Sequence, residues 1–165
     1  MKQMAQALLF LQKNGVKDYD DLVQKAEDAA DEFERLSAAI KEKESRLQEI
    51  ATLKKHIFNY SRTRKVYEAY RKSGYSKTFM EEHREEITPH KAAKAAFNAL
   101  SVKRLPKIRD LNDEYAVILA EKKSLYAGYR ETRKRMREFA IARKNVETIL
   151  EINPEKKAPA TTKQR

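Results

Sequence analysis

Residues 22–57, LVQKAEDAADEFERLSAAIKEKESRLQEIATLKKHI, decide the fold of this chain. Apolar residues recur there at alternating spacings of three and four, and no glycine or proline interrupts them. That spacing lines up one narrow apolar stripe along a helix, which is typical of helices that pack in pairs. The stripe consists of Leu22, Ala26, Ala29, Phe33, Leu36, Ile40, Leu47, Ile50 and Ile57, with Lys43 and Lys54 as polar interruptions.

A second apolar stripe of the same kind runs from Ile108 to Leu150. The composition agrees, because 37% of the residues are charged and only 3 Gly and 4 Pro occur in 165 residues. Two long helices in one chain pair most simply with each other. The sequence therefore predicts an all-α fold, a long antiparallel coiled-coil hairpin. The alternative is a pair of coiled coils between two chains, and the polar interruptions at Lys122, Thr132 and Arg143 argue against such a uniform zipper.

Helix-capping residues and glycines predict where the first helices begin and end. A base helix is expected over residues 4–14, with Gly15 as the residue that ends it. A first long helix is expected over residues 18–73, where Asp18 accepts hydrogen bonds from the first turn and Gly74 ends the helix.

Residues 75–105 are expected to form a small helical tip. Ser76 is a suitable cap for a first short helix over residues 77–86. Thr88 is a suitable cap for a second one, which would open with Pro89 at the position where a missing N–H costs nothing.

The last helix is expected over residues 106–151, opened by Pro106 on the same logic. Residues 153–165 lack large apolar side chains and are expected to be disordered, which leaves residues 1–152 as a single helical domain. If the chain turns symmetrically within the tip, the numbers of facing residues add up to about 179. Three pairs are then expected to be neighbours: Leu36 with Arg143, Leu47 with Thr132, and Ile57 with Lys122.

The positive charge is concentrated in the middle of the chain. The formal net charge is +11, and residues 51–110 alone carry 15 Lys or Arg against 6 Asp or Glu, whereas residues 1–50 are net negative. Such an uneven charge distribution predicts binding to a polyanion, and DNA is the expected partner. The alternative is a solvated basic face that binds no partner. The cations expected to neutralise phosphates are Arg62, Arg64, Lys65, Arg71, Lys72, Lys77, Lys91, Lys94, Lys103 and Arg104.

Two other patterns accompany these cations. Aromatic residues at 60, 67, 70, 75 and 79 lie among them and would either stack on unpaired bases or pack the protein's own core. A second basic run lies in the last helix: Arg130, Arg133, Lys134, Arg135 and Arg137.

Catalytic and metal chemistry is not expected. The chain has no Cys, and His56, His83 and His90 lack the spacing of a helical zinc site. The glutamates of residues 81–86 are more consistent with a solvated acidic face than with a catalytic pair. No apolar run approaches the about 18 residues that a membrane span needs, so no membrane insertion is expected. No cofactor is expected either, because the sequence has no glycine-rich phosphate-binding loop.

Several segments of this sequence resemble the C-terminal helical region of relaxases, the mobilisation nucleases of Gram-positive conjugative and mobilisable elements. The resemblance spans roughly residues 4–150 and is most distinctive in the tip. It is carried by LLFLQKNG at 8–15, YDDL at 19–22, YEAYRKSGY at 67–75, HKAAKAAF at 90–97, LP at 105–106, EYA at 114–116 and EKKSLY at 121–126.

The resemblance implies a bacterial cytoplasmic protein that acts in DNA mobilisation. Relaxases nick DNA with a separate N-terminal nuclease domain that carries a histidine cluster and a tyrosine nucleophile. Neither feature is present here, so the resemblance implies an accessory, non-catalytic part of a larger protein that grips DNA through its basic tip. Two alternatives remain open: a module that docks onto relaxosome or coupling proteins, and a plain spacer.

Overall fold

A computed structural model describes residues 2–101 and 103–150 of the chain. These residues form five helices and no strand: α1 (Lys2–Lys13), α2 (Tyr19–Lys72), α3 (Lys77–Glu82), α4 (Arg84–Ala99) and α5 (Ile108–Ile149). The long helix α2 packs against both α5 and α4. The predicted all-α helical hairpin within one chain is therefore confirmed.

The described chain divides into two compact units. The first unit contains residues 2–40 and 124–150, and the second contains Lys41–Lys123. Helices α2 and α5 each contribute residues to both units.

The ends of α1 and α2 are fixed by the residues that the sequence predicts. Gly15 has a φ of 63°, and its N–H and that of Val16 bond to carbonyls in the last turn of α1. Gly74 ends α2 in the same way with a φ of 72°. At the start of α2, Asp18 Oδ1 accepts a hydrogen bond of 2.8 Å from the N–H of Asp21.

The core of the first unit lies between α2 and the later part of α5, and α1 covers it. The ring of Phe10 from α1 meets the ring of Phe139 edge-on at 5.0 Å between centroids. The hydroxyl of Tyr19 donates a hydrogen bond of 2.6 Å to Glu147, which joins α2 to α5. The buried residues of this core are Leu22, Ala26, Ala29, Phe139 and Ala142.

The core of the second unit lies where α4 and the first part of α5 both pack against α2. Arg46 binds Glu114 through two N–O contacts of 2.7 and 3.1 Å, and this pair lies across the seam between α2 and α5. Such a bidentate pair fixes geometry more than it adds stability, because both side chains are partly exposed. The buried residues of this core are Leu47, Ile50, Leu53, Ala93, Phe97, Leu111 and Ile118.

The expected pairing register is wrong by about four helical turns. Lys122 binds Glu44 at 3.2 Å rather than lying beside Ile57, and Lys43 binds Glu121 at 2.6 Å. In the second unit the numbers of paired residues therefore add up to about 165, not 179.

The other two expected pairs are displaced as well. Leu47 packs in the core with Leu111 and Ile118, not beside Thr132. Arg143 lies with Glu147 beside Tyr19, near the start of α2, not beside Leu36. In the first unit the contact of Phe33 with Tyr129, at 5.4 Å between ring centroids, shows the same displacement.

The cause of this displacement is α4. It runs back along α2, so that Phe97 reaches the ring of Tyr60 at 5.7 Å and joins the core of Leu47 and Ile50. Because α4 covers the last part of α2, α5 begins its own pairing with α2 only at about Ile50. The tip is thus not a symmetric turn.

The second short helix also begins earlier than expected. α4 opens at Arg84, and the carbonyl of His83 accepts its first hydrogen bonds, so Thr88 is not a cap and Pro89 lies inside the helix. Extending the helix buries Ile87 completely and places two glutamates in its first turn, where the helix dipole favours them. Consequently α3 ends at Glu82 rather than at residue 86.

The last helix begins two residues after Pro106, because the carbonyl of Lys107 accepts the first helical hydrogen bond, at 3.1 Å, from the N–H of Leu111. The tail expected over residues 153–165 lies outside the described residues.

Candidate nucleic-acid interface

All ten cations that the sequence predicts as phosphate contacts lie in the second unit, and all ten are exposed. Residues 51–80 carry eight basic side chains and one acidic one, and residues 91–109 carry six basic side chains and no acidic one. Within one compact unit, two stretches of nearly uncompensated positive charge are therefore open to solvent.

Three of the ten cations share the outward face of α2. Arg62, Lys65 and Lys72 follow one another at spacings of three and seven residues, which places them on one side of a helix. The opposite side of α2 at this level buries Thr63 and Tyr70. This face is a row of three exposed cations.

Two cations of α4 are held against aromatic rings of α2. The Nζ atom of Lys91 lies 5.4 Å from the ring centroid of Tyr70, and that of Lys94 lies 5.0 Å from the ring centroid of Tyr67. Such cation–π contacts stabilise an exposed cation by about 0.5–1 kcal/mol. They also restrict where the two ammonium groups can lie.

Two arginines of α2 flank the same rings. Arg64 precedes Tyr67 by three residues and Arg71 follows it by four, so both lie on its side of the helix. Arg64 also contacts Glu68 at 3.3 Å, an exposed pair that a competing phosphate could replace at little cost. α2 and α4 thus bring four of the predicted cations to one seam.

The remaining three predicted cations lie outside this seam. Lys77 opens α3, where the Ser76 hydroxyl accepts a hydrogen bond of 3.4 Å from the N–H of Phe79. Lys103 and Arg104 are exposed in the segment between α4 and α5. The structure therefore distributes the ten residues over α2, α3, α4 and this connecting segment.

Beneath the seam lies a buried polar cluster that the sequence did not predict. His90 of α4 is only 2% exposed, and its ring is stacked between Tyr60 at 4.6 Å and Tyr67 at 4.2 Å. Thr63 of α2 is fully buried beside it. The cluster fixes the position of α4, and hence of its lysines, on α2.

The hydrogen bonds of this cluster determine the state of the imidazole. The hydroxyl of Thr63 donates its one hydrogen to the carbonyl of Asn59 at 2.6 Å, so it can only accept from His90 Nδ1, which lies 3.0 Å away. Burial lowers the pKa of His90, and the positive charge of Lys94 lowers it further. Burial therefore favours the neutral imidazole of His90, and its tautomer with the hydrogen on Nδ1 is the one that can donate to Thr63.

The aromatic residues among the cations mostly pack within the protein. Tyr70 is buried, and the rings of Tyr60 and Tyr67 stack on the ring of His90. The ring of Phe79 contacts those of Tyr70 and His83. Tyr75 is the exception, with 54% of its surface exposed. Of the rings expected to stack on bases, Tyr75 offers the most accessible face.

Glu81, Glu82 and Glu85 line an open groove with Arg84, Thr88 and Pro89. Glu86 contacts His83 at 3.3 Å. Among the described residues, no group of three or more His, Asp or Glu side chains is arranged to hold a metal ion.

No helix in residues 2–101 and 103–150 combines the length and apolar character that crossing a membrane requires.

Taken together, the surface of the second unit offers exposed ammonium and guanidinium groups that suit phosphate oxygens. No family model, curated protein or solved structure matches the chain.

Proposed function

We propose that this chain is a non-catalytic accessory domain of a DNA relaxase and that it binds DNA through the basic surface of its second unit. The observation that carries the DNA-binding part is the seam between α2 and α4, where Lys91 and Lys94 are held against Tyr70 and Tyr67 beside Arg64 and Arg71. The relaxase context is supported by the sequence resemblance alone.

The chemistry of this surface favours backbone contacts over base reading. Ammonium groups are compact point charges that contact phosphate without selecting a base, and the guanidinium groups of the arginines can bind phosphate oxygens in pairs. If about six of the ten cations contact phosphates at once, the logarithm of the binding constant should fall with the logarithm of salt concentration with a slope of about −4 for single strands and −5 for duplex DNA.

The test is fluorescence anisotropy of labelled single- and double-stranded oligonucleotides across a salt series that starts at about 50 mM. The test variant is Arg71→Gln with Lys72→Gln, because glutamine keeps helix propensity at the end of α2 without introducing an unfavourable negative charge there. We expect weaker binding to every sequence tested and a slope less steep by one to two.

The matched control is Lys41→Gln with Lys123→Gln. It removes the same charge from two exposed cations of the same unit that lie outside the proposed surface. Equal losses in the two variants would indicate a net-charge effect rather than a defined surface, and absence of binding at about 50 mM salt would remove the proposal.

A second candidate function, docking onto relaxosome or coupling proteins, is favoured by exposed apolar side chains on the same unit. Phe58 is 64% exposed and Tyr75 is 54% exposed, although Phe79 and Met80 are half-buried and Phe97 is buried. The test is binding of a purified relaxosome protein to each variant. Loss of binding in Phe58→Ala, with binding unchanged in the double variant Arg71→Gln with Lys72→Gln, would favour this candidate.

A further inference from the structure

The outward face of α5 in the first unit carries a separate row of cations, which we call the α5 stripe. Its members are all exposed, and their spacings of three, four and seven residues place them on the side of α5 opposite the buried Phe139. Arg135 is not a member, because its guanidinium lies over the ring of Phe139 at 5.1 Å. The α5 stripe consists of Arg130, Arg133, Lys134, Arg137 and Lys144.

Among the described residues, none of these cations forms an ion pair, although Lys134 lines a groove together with Glu32, Glu131 and Glu138. Residues 20–34 of α2 carry seven acidic side chains against one basic one, so the same unit contains carboxylates that could have paired with them. Yet the ion pairs of the described residues in this unit, Lys25 with Asp21 and Arg143 with Glu147, each lie within a single helix. This contrasts with the second unit, where cross-helix pairs are formed. The charge of the α5 stripe is left for a partner outside the unit.

We propose that the α5 stripe is a second nucleic-acid site, which binds the sugar–phosphate backbone independently of the surface of the second unit. From Arg130 to Arg137, cations three or four residues apart are separated by about 4.5–6 Å along the helix. Lys144 lies about 10.5 Å beyond Arg137, so the stripe is about 21 Å long. At about 3.4 Å of duplex axis per nucleotide, this length corresponds to roughly six phosphates of one strand. A row of single charges at this spacing can neutralise successive phosphates without reading bases.

Two other occupants fit the stripe less well. A helix that lies on an anionic membrane inserts several apolar side chains beside its cations. The apolar side of α5 is buried against α2, and between Arg130 and Lys144 Ile141 is the one large apolar side chain that is exposed. The acidic face of α2 in a second copy has the right charge. Exposed ion pairs, however, contribute only about 0–1 kcal/mol each, whereas a polyanion adds the release of its condensed counterions.

The chain has no Cys, so single cysteines can report on each surface separately. Ala127→Cys places an environment-sensitive fluorophore three residues before Arg130, and Ala69→Cys places one between Lys65 and Lys72 of the second unit. Both alanines are exposed. Each labelled full chain is titrated with a single-stranded oligothymidylate of about 20 nucleotides, which is longer than either surface.

The stripe variant combines Arg130→Gln, Arg133→Gln, Lys134→Gln and Arg137→Gln. Its matched control, Lys2→Gln, Lys13→Gln, Lys17→Gln and Arg35→Gln, removes four exposed cations of the same unit that form no row. We expect the stripe variant to lose the response at residue 127, or to lower its salt slope by about 3, while the response at residue 69 stays within twofold. The control should change neither response by more than twofold.

The outcomes separate this inference from the proposed function. A response at residue 69 without one at residue 127 overturns the inference that the α5 stripe is a nucleic-acid site and leaves the proposed function standing. A response at residue 127 without one at residue 69 supports the α5 stripe and overturns the proposed binding surface of the second unit. A response at residue 127 to anionic phospholipid vesicles but not to the oligonucleotide overturns the inference in favour of a membrane. Sedimentation tests for self-association without DNA. If the chain self-associates and the stripe variant abolishes this, the inference is overturned in favour of a second copy of the chain.

Discussion

His90 Nδ1 lies 3.0 Å from Thr63 Oγ1, and the hydroxyl hydrogen of Thr63 is already donated to the carbonyl of Asn59. Two buried polar side chains from α4 and α2 therefore contact each other directly. Because the stack of rings around His90 also holds Lys94 in place over Tyr67, this internal bond connects the packing of α4 to the geometry of the basic surface.

Replacing Thr63 with valine should destabilise the protein. Thr63→Val keeps the shape of the side chain but leaves the Nδ1–H of His90 buried without an acceptor, which costs about 1–3 kcal/mol. Urea unfolding followed by circular dichroism measures the change. Thr148→Val is the matched control, because Thr148 makes the same bond to a carbonyl four residues earlier, at 2.9 Å, on an exposed surface. Equal losses for both variants would contradict the importance of the buried bond.

Stability should fall as pH falls below the ordinary pKa of histidine. Burial and Lys94 lower the pKa of His90 in the folded protein below its ordinary value of 6.5, so between the two values the unfolded chain binds a proton that the folded chain does not. The contribution of His90 is therefore fully present above 6.5 and decreases as the pH falls toward the folded pKa.

The measurement for this pH dependence is the free energy of unfolding at pH 8 and pH 5, for the wild type and for Thr63→Val with His90→Phe. The double variant keeps a ring between Tyr60 and Tyr67 and removes both polar partners. His56 and His83 are present in both proteins, so the comparison isolates the contribution of His90. The wild type should lose more stability than the variant between the two pH values; parallel losses would show that His90 is not responsible.

Zero-length cross-linking should reveal the pairing register of α2 and α5. A carbodiimide should join Lys43 to Glu121 and Lys122 to Glu44, since these pairs lie 2.6 and 3.2 Å apart. Peptide mass spectrometry of a mixture of isotopically heavy and light chains identifies the products. Cross-links within single chains are expected, and mixed heavy–light products of these residues would instead indicate a coiled coil between chains.

Replacing Pro89 with alanine should stabilise the protein. Pro89 is the sixth residue of α4 and has no N–H for the carbonyl of Glu85, so alanine restores a helical bond and removes a residue of poor helix propensity. We expect the free energy of unfolding to rise by about 1 kcal/mol or more. Pro106→Ala is the control, because Pro106 precedes α5 and its replacement should change the free energy of unfolding little. A loss of stability in Pro89→Ala would mean that the ring of Pro89 makes stabilising packing contacts.

Local signals in the sequence were sufficient for the helices and several of their ends. Asp18, Ser76, Gly15 and Gly74 each act on backbone groups within a few residues, so their effect can be read without knowing the rest of the fold. Thr88 is the exception: the sequence made it as good a cap as Ser76, but burying Ile87 favours an earlier start to α4.

The register and the polar cluster depend on contacts between distant residues. A stripe with a regular spacing pairs equally well at several offsets, and only the packing of Ala93 and Phe97 against α2 selects one of them. Thr63 and His90 are 27 residues apart, and nothing in their spacing indicates that they bond to each other. By contrast, the predicted cations were found exposed because charged side chains seldom lie in a core.

The succession of α4 and α5 along α2 has a consequence for how this protein could vary in length. An insertion within α2 would rotate every later side chain by about 100° per residue and misalign both partners at once. The segment between α4 and α5 belongs to no helix, so residues added there would not change the helical phase of α2, α4 or α5. Insertions or deletions during evolution, or the engineered insertion of a reporter, should therefore be tolerated best in this segment. They would leave the contacts of α4 and α5 with α2 in place.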